Sequence, residues 1–180
     1  MPFILVVSGS PSENSKTAKL AQYVSERLAE RGMRTKHLRV RDLPAGPLLS
    51  AQASDPAIGE AIELVELADG VVFVTPTYKA SFSGLLKTFI DLLPQFALTG
   101  KAILPLATGG TMAHVLMLDY ALRPILHALG ARHSVQGHFM IESALDPAGP
   151  EFITDIKHRE MLHQAISHFD QAVSRTLEAA

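Results

Sequence analysis

Ile4-Leu5-Val6-Val7-Ser8-Gly9-Ser10-Pro11-Ser12-Glu13-Asn14-Ser15-Lys16-Thr17 opens as an apolar run, breaks into a hydroxyl-rich loop and passes, from Leu20 onward, into a helical pattern. The order is strand, loop, helix. A helix entered through so many hydroxyls presents unpaired N-terminal amides and the positive end of its dipole to one point, which suits a phosphate. Neither Gly-rich phosphate motif is present, because no G-x-x-x-x-G-K-[ST] follows and Gly9 stands alone where a dinucleotide fingerprint needs three glycines. Hydroxyls in place of glycines point to a mononucleotide flavin. Taken by itself, an ordinary βα turn with Ser15 as N-cap accounts for the same residues equally well.

Working outward, Leu20, Val24 and Leu28 recur at helical spacing up to Arg31, and Gly32 is placed to cap that helix. Thr35 to Val40 alternates weakly, as a strand near a sheet edge does, and Arg41 to Ser54 reads as a long loop. Asp55-Pro56 starts a second helix, with Ile58, Ile62 and Val65 on one face, that ends near Asp69-Gly70. Val71 to Val74 is a third strand, apolar throughout, and is followed by the polar stretch Thr75 to Gly84 and a helix bearing Leu86, Phe89, Ile90 and Leu93. Lys101 to Ala107 repeats the arrangement, ending in Thr108-Gly109-Gly110-Thr111-Met112-Ala113-His114 before a helix with Leu116, Tyr120 and Leu126. His133 to Ile141 gives a fifth strand, and Ile156 to Val173 a long closing helix.

Strict βα alternation with apolar strands predicts an α/β fold over residues 1–180 as one domain: a five-stranded, doubly wound parallel sheet with helices on both faces. In the order 2-1-3-4-5, strands one, three and four are neighbours, and ligands bind at their carboxyl ends. The three polar loops follow those three strands. Pro105 is awkward there, since it forfeits a ladder bond inside an interior strand, and a bulge or an early strand end is expected.

The bulk properties bound the function. At 180 residues with 47% hydrophobic and 19% charged composition, the chain has enough material for a sizeable core. A net charge of -2 gives no reason to expect nucleic acid or an anionic membrane as partner, and zero cysteines exclude a thiol nucleophile and thiolate metal sites. The N-terminal apolar run is too short for a signal peptide or a membrane span. No metal site is readable, and His158 and His163 lack i,i+4 spacing.

Each loop supplies one part of a flavin site. Ser10, Ser15 and Thr17, with backbone amides from Asn14 to Thr17, can saturate phosphate oxygens, and Lys16 can add charge, although a solvated helix position explains it as well. Pro76-Thr77-Tyr78-Lys79 fixes a turn whose amides can face ring nitrogens, while Tyr78 can lie against ribityl or ring. Gly109-Gly110 can approach the pyrimidine edge, though a tight turn without a ligand explains the pair equally. His114 can orient a ring or a pyrophosphate, and a surface histidine at a helix end is the plainer reading. Hydride transfer needs no protein acid or base, so no catalytic residue is nominated. Pro124 removes the helix bond that would end on the Tyr120 carbonyl, which predicts a kink or wide turn at Tyr120.

On these residues the chain resembles the NAD(P)H-dependent FMN reductases of the flavodoxin-like superfamily, and within them the alkanesulfonate-utilisation branch. The resemblance is carried by Gly9-Ser10-Pro11 with Ser15 and Thr17, by Thr75 to Ala80 through Ser83-Gly84-Leu85-Leu86-Lys87, and by Leu106 to Thr111 with Ala113-His114. Leu118-Asp119-Tyr120-Ala121-Leu122-Arg123-Pro124 is similar to the segment in which an extra tyrosine forms a π-helix at a tetramer interface, and Tyr120 matches that tyrosine. Ser12 departs from the pattern, since many relatives carry arginine there. The resemblance implies a cytoplasmic homodimer or homotetramer that reduces FMN with NADPH and yields FMNH2 to a monooxygenase acting on organosulfonates. An FMN-retaining reductase of quinones, azo dyes or metals fits the same pocket, and a flavodoxin-type electron carrier is the rival from another class.

Overall fold

In the computed structural model, which describes residues 1–178, the first unit runs β1 (Phe3–Ser8), α1 (Lys16–Glu30) and β2 (Arg34–Arg39). A 3-10 turn at Val40–Asp42, α2 (Ala45–Leu49) and α3 (Pro56–Leu67) lead into β3 (Gly70–Tyr78), β4 (Ser81–Phe82) and α4 (Gly84–Ile90). Then come β5 (Ala102–Gly109), a 3-10 turn at Met112–His114, a π-helical turn at Leu118–Leu122, and α5 (Arg123–Ala128). The chain closes with β6 (His133–Ser134), β7 (His138–Ile141), a 3-10 turn at Glu142–Ala144 and α6 (Ile156–Glu178).

The main sheet is parallel in the order β2-β1-β3-β5-β6, with β7 continuing beside β5 beyond the end of β6 and β4 folded back antiparallel on β3. With β6 and β7 taken as one interrupted strand, this is the 2-1-3-4-5 order. Strand residues alternate between two cores. Leu5, Val7, Val71, Phe73 and Ile103 pack with α3 and α4, while Ile4, Val6, Val72, Val74, Leu104 and Leu106 pack against Leu20 and Val24 of α1 and Leu162, Ile166 and Phe169 of α6. Each such side chain contributes about 1.5–3 kcal/mol by leaving water, and burial on both faces explains why β1 and β3 read as unbroken apolar runs.

Pro105 neither bulges nor ends its strand, contrary to the sequence expectation; β5 runs through it, paired with Phe73 of β3. The interruption falls on the neighbour instead. The Val135 amide still donates to the Ile103 carbonyl at 2.9 Å, Gln136 and Gly137 then leave the ladder before β7, and a Cβ on Gly137 would lie 2.2 Å from the Pro105 carbonyl oxygen. A residue of a parallel strand directs its N–H and C=O to the same side. The missing proline donor therefore falls beside the break, where no ladder bond is lost, and the glycine lets the two backbones close up.

Three other expectations are corrected. Residues 41–54 are not one loop: α2 forms there because Pro44 precedes it and Pro47 sits in its first turn, where a missing N–H is harmless, and Leu48 anchors it in the core. Thr75 to Gly84 is not all loop, since β3 extends to Tyr78 and returns through a turn with Lys79 at φ 51° and Ala80 at φ 61°. The helix after the third loop is three short pieces, one of them the π turn in which the Arg123 amide reaches back to the Leu118 carbonyl. The wide turn expected at Tyr120 is present.

Candidate functional site

The carboxyl ends of β1, β3 and β5 bring the three loops together. The Gly9 amide donates to the Val74 carbonyl at 2.9 Å, and Pro76 stands opposite Thr108 in the β3–β5 ladder. Ser83 ties the first loop to the second: its hydroxyl donates to the Gly9 carbonyl and accepts from the Leu86 amide as the N-cap of α4. Thr75, buried beside it, accepts from the Ser83 amide at 3.0 Å and donates to the Pro76 carbonyl. Thr17 ties the first loop to the third, with Thr17 Oγ1 and Thr108 Oγ1 hydrogen-bonded at 2.7 Å in the interior.

Within the first loop, Ser15 caps α1 by accepting from the Ala18 amide at 3.1 Å, and Ser10 accepts from the Ser12 amide at 3.3 Å. Both are buried. That cap leaves the Lys16 and Thr17 amides at the helix start without intrahelical acceptors, so two donors and the positive dipole end point out of α1. Lys16 donates from Nζ to the Glu142 carbonyl at 2.7 Å, which pins a positive charge beside that helix end and clamps the loop after β7 to it. The cradle is thus preorganised by bonds within the protein.

In the second loop Tyr78, Lys79 and Ala80 are exposed around the β3–β4 turn, and Thr77 Oγ1 is buried without a hydrogen-bond partner. An orphaned hydroxyl of this kind costs roughly 1–3 kcal/mol unless something bonds it. It lies next to the third loop: a Cβ on Gly109 would come within 3.4 Å of the Thr77 Cβ and 2.6 Å of the Phe139 ring. Gly109 therefore serves packing under the site, whereas Gly110 is exposed with nothing near its missing side chain. Thr111 caps the 3-10 turn through the Ala113 amide at 3.3 Å, and His114 is half-buried in that turn. The carboxyl end of the sheet thus gathers a donor-rich helix end, an unpaired Thr77 hydroxyl and bare backbone at Gly110. Features of these kinds are what a phosphate and the polar edge of a flavin ring require of a protein.

Tyr120, singled out from the sequence, stands on the π turn and is 78% exposed. A separate cavity of 410 Å³ at the open edge of β7 is lined by Met112, Leu118, Phe139, Met161 and a histidine pair. His138 Nε2 and His158 Nδ1 are 3.2 Å apart, and burial, then the neighbouring His158, pushes the His138 imidazole down to about 4. The two residues come from β7 and α6, so no sequence spacing signals the pair. Among the described residues no group of three or more His, Asp or Glu side chains could hold a metal ion, and no helix is long and apolar enough to cross a membrane.

The doubly wound sheet with a hydroxyl-rich loop and two further polar loops at its switch point is the arrangement of a flavodoxin-like oxidoreductase. The sequence profile described as NADPH-dependent FMN reductase matches residues 2–146, and the chain belongs to that family. FMN and a reduced nicotinamide nucleotide are its redox partners. An FMN reductase (NADPH) of Pseudomonas putida is 41% identical over 174 residues, covering 96% of this chain and 88% of the relative. An FMN reductase (NADPH) of Escherichia coli is 39% identical, covering 96% of this chain and 90% of its own. A solved NADH:FMN oxidoreductase in its apo form superposes with a TM-score of 0.88 at 48% identity, covering 94% of this chain and 88% of that one.

Proposed function

We propose that the protein uses NADPH to reduce FMN as a diffusing substrate, and that it releases FMNH2 to a flavin-dependent monooxygenase that desulfonates organosulfonates. The reaction is NADPH + H⁺ + FMN giving NADP⁺ and FMNH2, with a hydride moving between two bound rings. In this reading the Lys16 and Thr17 amides, Ser10 and Ser15 hold the flavin phosphate. Thr77 and the Pro76 to Lys79 backbone face the ring nitrogens, and the Gly110 and Thr111 backbone meets the pyrimidine edge, where negative charge grows on reduction. The observation that carries it is the buried, unpartnered Thr77 hydroxyl beside the exposed Gly110 backbone. We further infer a cytoplasmic homodimer or homotetramer of this single domain, with the exposed Tyr120 on the interface.

The test is the initial rate of NADPH oxidation by flavin-stripped protein as free FMN is titrated, with NADH in parallel. Saturation by FMN far in excess of enzyme supports flavin as substrate. Full activity at one flavin per chain, and only with added quinone or dye, supports the retaining reductase instead. Tyr120→Ala tests the assembly. Because the side chain is mostly exposed in one chain, stability of the isolated chain should move by no more than about 0.5 kcal/mol, while the eluting species shifts to a smaller assembly. An unchanged elution volume together with unchanged FMN affinity rejects a role for Tyr120.

A further inference from the structure

Gly9 is fixed at both ends. Its amide donates to the Val74 carbonyl at 2.9 Å, and its carbonyl accepts from the Ser83 hydroxyl. The close approach needs a bare residue, because a Cβ on Gly9 would lie 2.6 Å from the Leu86 Cβ and 3.0 Å from Ser83 Oγ. Ser83 is fixed in turn. It is 1% exposed, its amide donates to Thr75 Oγ1 at 3.0 Å, and its hydroxyl oxygen accepts from the Leu86 amide at 3.1 Å. Its only proton is committed to Gly9, and burial shuts the side chain off from any ligand.

The consequence falls on the next residue. In a trans peptide the carbonyl and the following amide point in opposite directions, so a Gly9 carbonyl held toward α4 turns the Ser10 amide away from it. α4 packs on the sheet face that carries Leu5 and Val7, and α1 packs on the opposite face with Ile4 and Val6. The Ser10 amide is therefore turned to the side on which α1 begins, where the Lys16 and Thr17 amides open. Among the described residues it has no acceptor, although Ser10 is 4% exposed and its own hydroxyl is engaged by the Ser12 amide. A buried amide without a partner is unfavourable, and a bound anion removes that cost. The Ser83 bond also polarises the Gly9–Ser10 peptide, which makes the Ser10 N–H a stronger donor.

We propose that Ser83 is a positioning residue for the flavin phosphate: it aims the Ser10 amide at that phosphate and so sets how strongly the enzyme prefers FMN to unphosphorylated riboflavin, while touching neither. The inference rests on the first loop holding the phosphate. It assigns the preference to a side chain outside that loop, and to its proton rather than to its capping of α4.

Two variants separate the proton from the cap. Ser83→Ala and Ser83→Gly both lose the donor to Gly9, but glycine is nearly as good an N-cap as serine whereas alanine is a poor one. Dissociation constants for oxidised FMN and for riboflavin are measured by quenching of flavin fluorescence without nucleotide, and urea midpoints rank the cap. The affinity ratio of FMN to riboflavin should fall roughly tenfold, about 1.4 kcal/mol, in both variants. Riboflavin should stay within about twofold of the wild type, and the urea midpoint should drop in Ser83→Ala far more than in Ser83→Gly. A wild-type ratio in Ser83→Gly, or equal weakening of FMN and riboflavin in both variants, overturns the proposal and leaves Ser83 a cap or a general brace. Equal binding of FMN and riboflavin by the wild-type chain would instead remove the phosphate reading of the first loop beneath it.

Discussion

Thr17 and Thr108 show how a residue chosen for one kind of contact can be committed to another. Their hydroxyls bond each other across 91 positions of sequence in a buried interior, which fastens the first loop to the carboxyl end of β5. Thr17→Val or Thr108→Val leaves the other hydroxyl unpaired and should cost about 1–3 kcal/mol. The double variant replaces both with apolar groups of similar shape and should cost clearly less than the two singles together. Urea unfolding of the four chains measures this coupling. Strict additivity would mean that the pair does not act as a cross-brace. The FMN affinity of the double variant then reports whether the brace itself, rather than either hydroxyl alone, holds the cradle in shape. Ser83 makes the same kind of link between Gly9 and α4, and its neighbour Thr75 completes it from inside.

At the scale of elements, the β3–β4 hairpin carries two consecutive non-glycine residues in the left-handed region, Lys79 at φ 51° and Ala80 at φ 61°. Tight hairpin turns of this hand favour Asn-Gly or Gly-Gly, and without that signal the sequence reading puts the turn too early, at Pro76 to Lys79, where the structure has the end of β3. Each left-handed residue costs roughly 1–2 kcal/mol. Ala80→Gly should therefore raise stability by up to about 1 kcal/mol, read as a higher urea midpoint at constant m-value. A drop in the midpoint would show that the unfolded-state entropy of glycine outweighs the relief of strain. The same contrast explains what was legible in the chain. Elements with a strong local pattern, such as the buried runs of β1 and β3 or the Asp55-Pro56 start of α3, stand where the sequence puts them. The five residues of α2 are too few for periodicity, and the break between β6 and β7 depends on Pro105 in another strand. In the site, loop membership follows from topology and could be read. Which hydroxyls face a ligand and which face each other is set by long-range contacts and could not.

At the scale of the whole molecule, the closing helix α6 is fastened to the sheet edge through the His138–His158 pair, with Lys157 and Asp119 on the same cavity. His138 is held at about 4 in the folded chain, against an ordinary value of 6.5, because burial and then the charge of His158 disfavour its protonated form. Above the ordinary value both the folded and the unfolded chain carry it neutral, and it contributes no pH dependence. Between 6.5 and about 4 the unfolded chain takes up a proton that the folded chain refuses, so stability falls as pH falls through that window. A cavity open to water on one side discounts the full effect, to on the order of 2 kcal/mol. Carboxylates in general also titrate near its lower end, which makes the comparison with a variant decisive. His138→Phe keeps an aromatic ring on β7 and removes the titration. Its urea stability should be about 2 kcal/mol less sensitive to the change from pH 7 to pH 4 than that of the wild type. Parallel pH curves for the two proteins would show that the histidine pair takes up its proton without loosening α6 from the sheet.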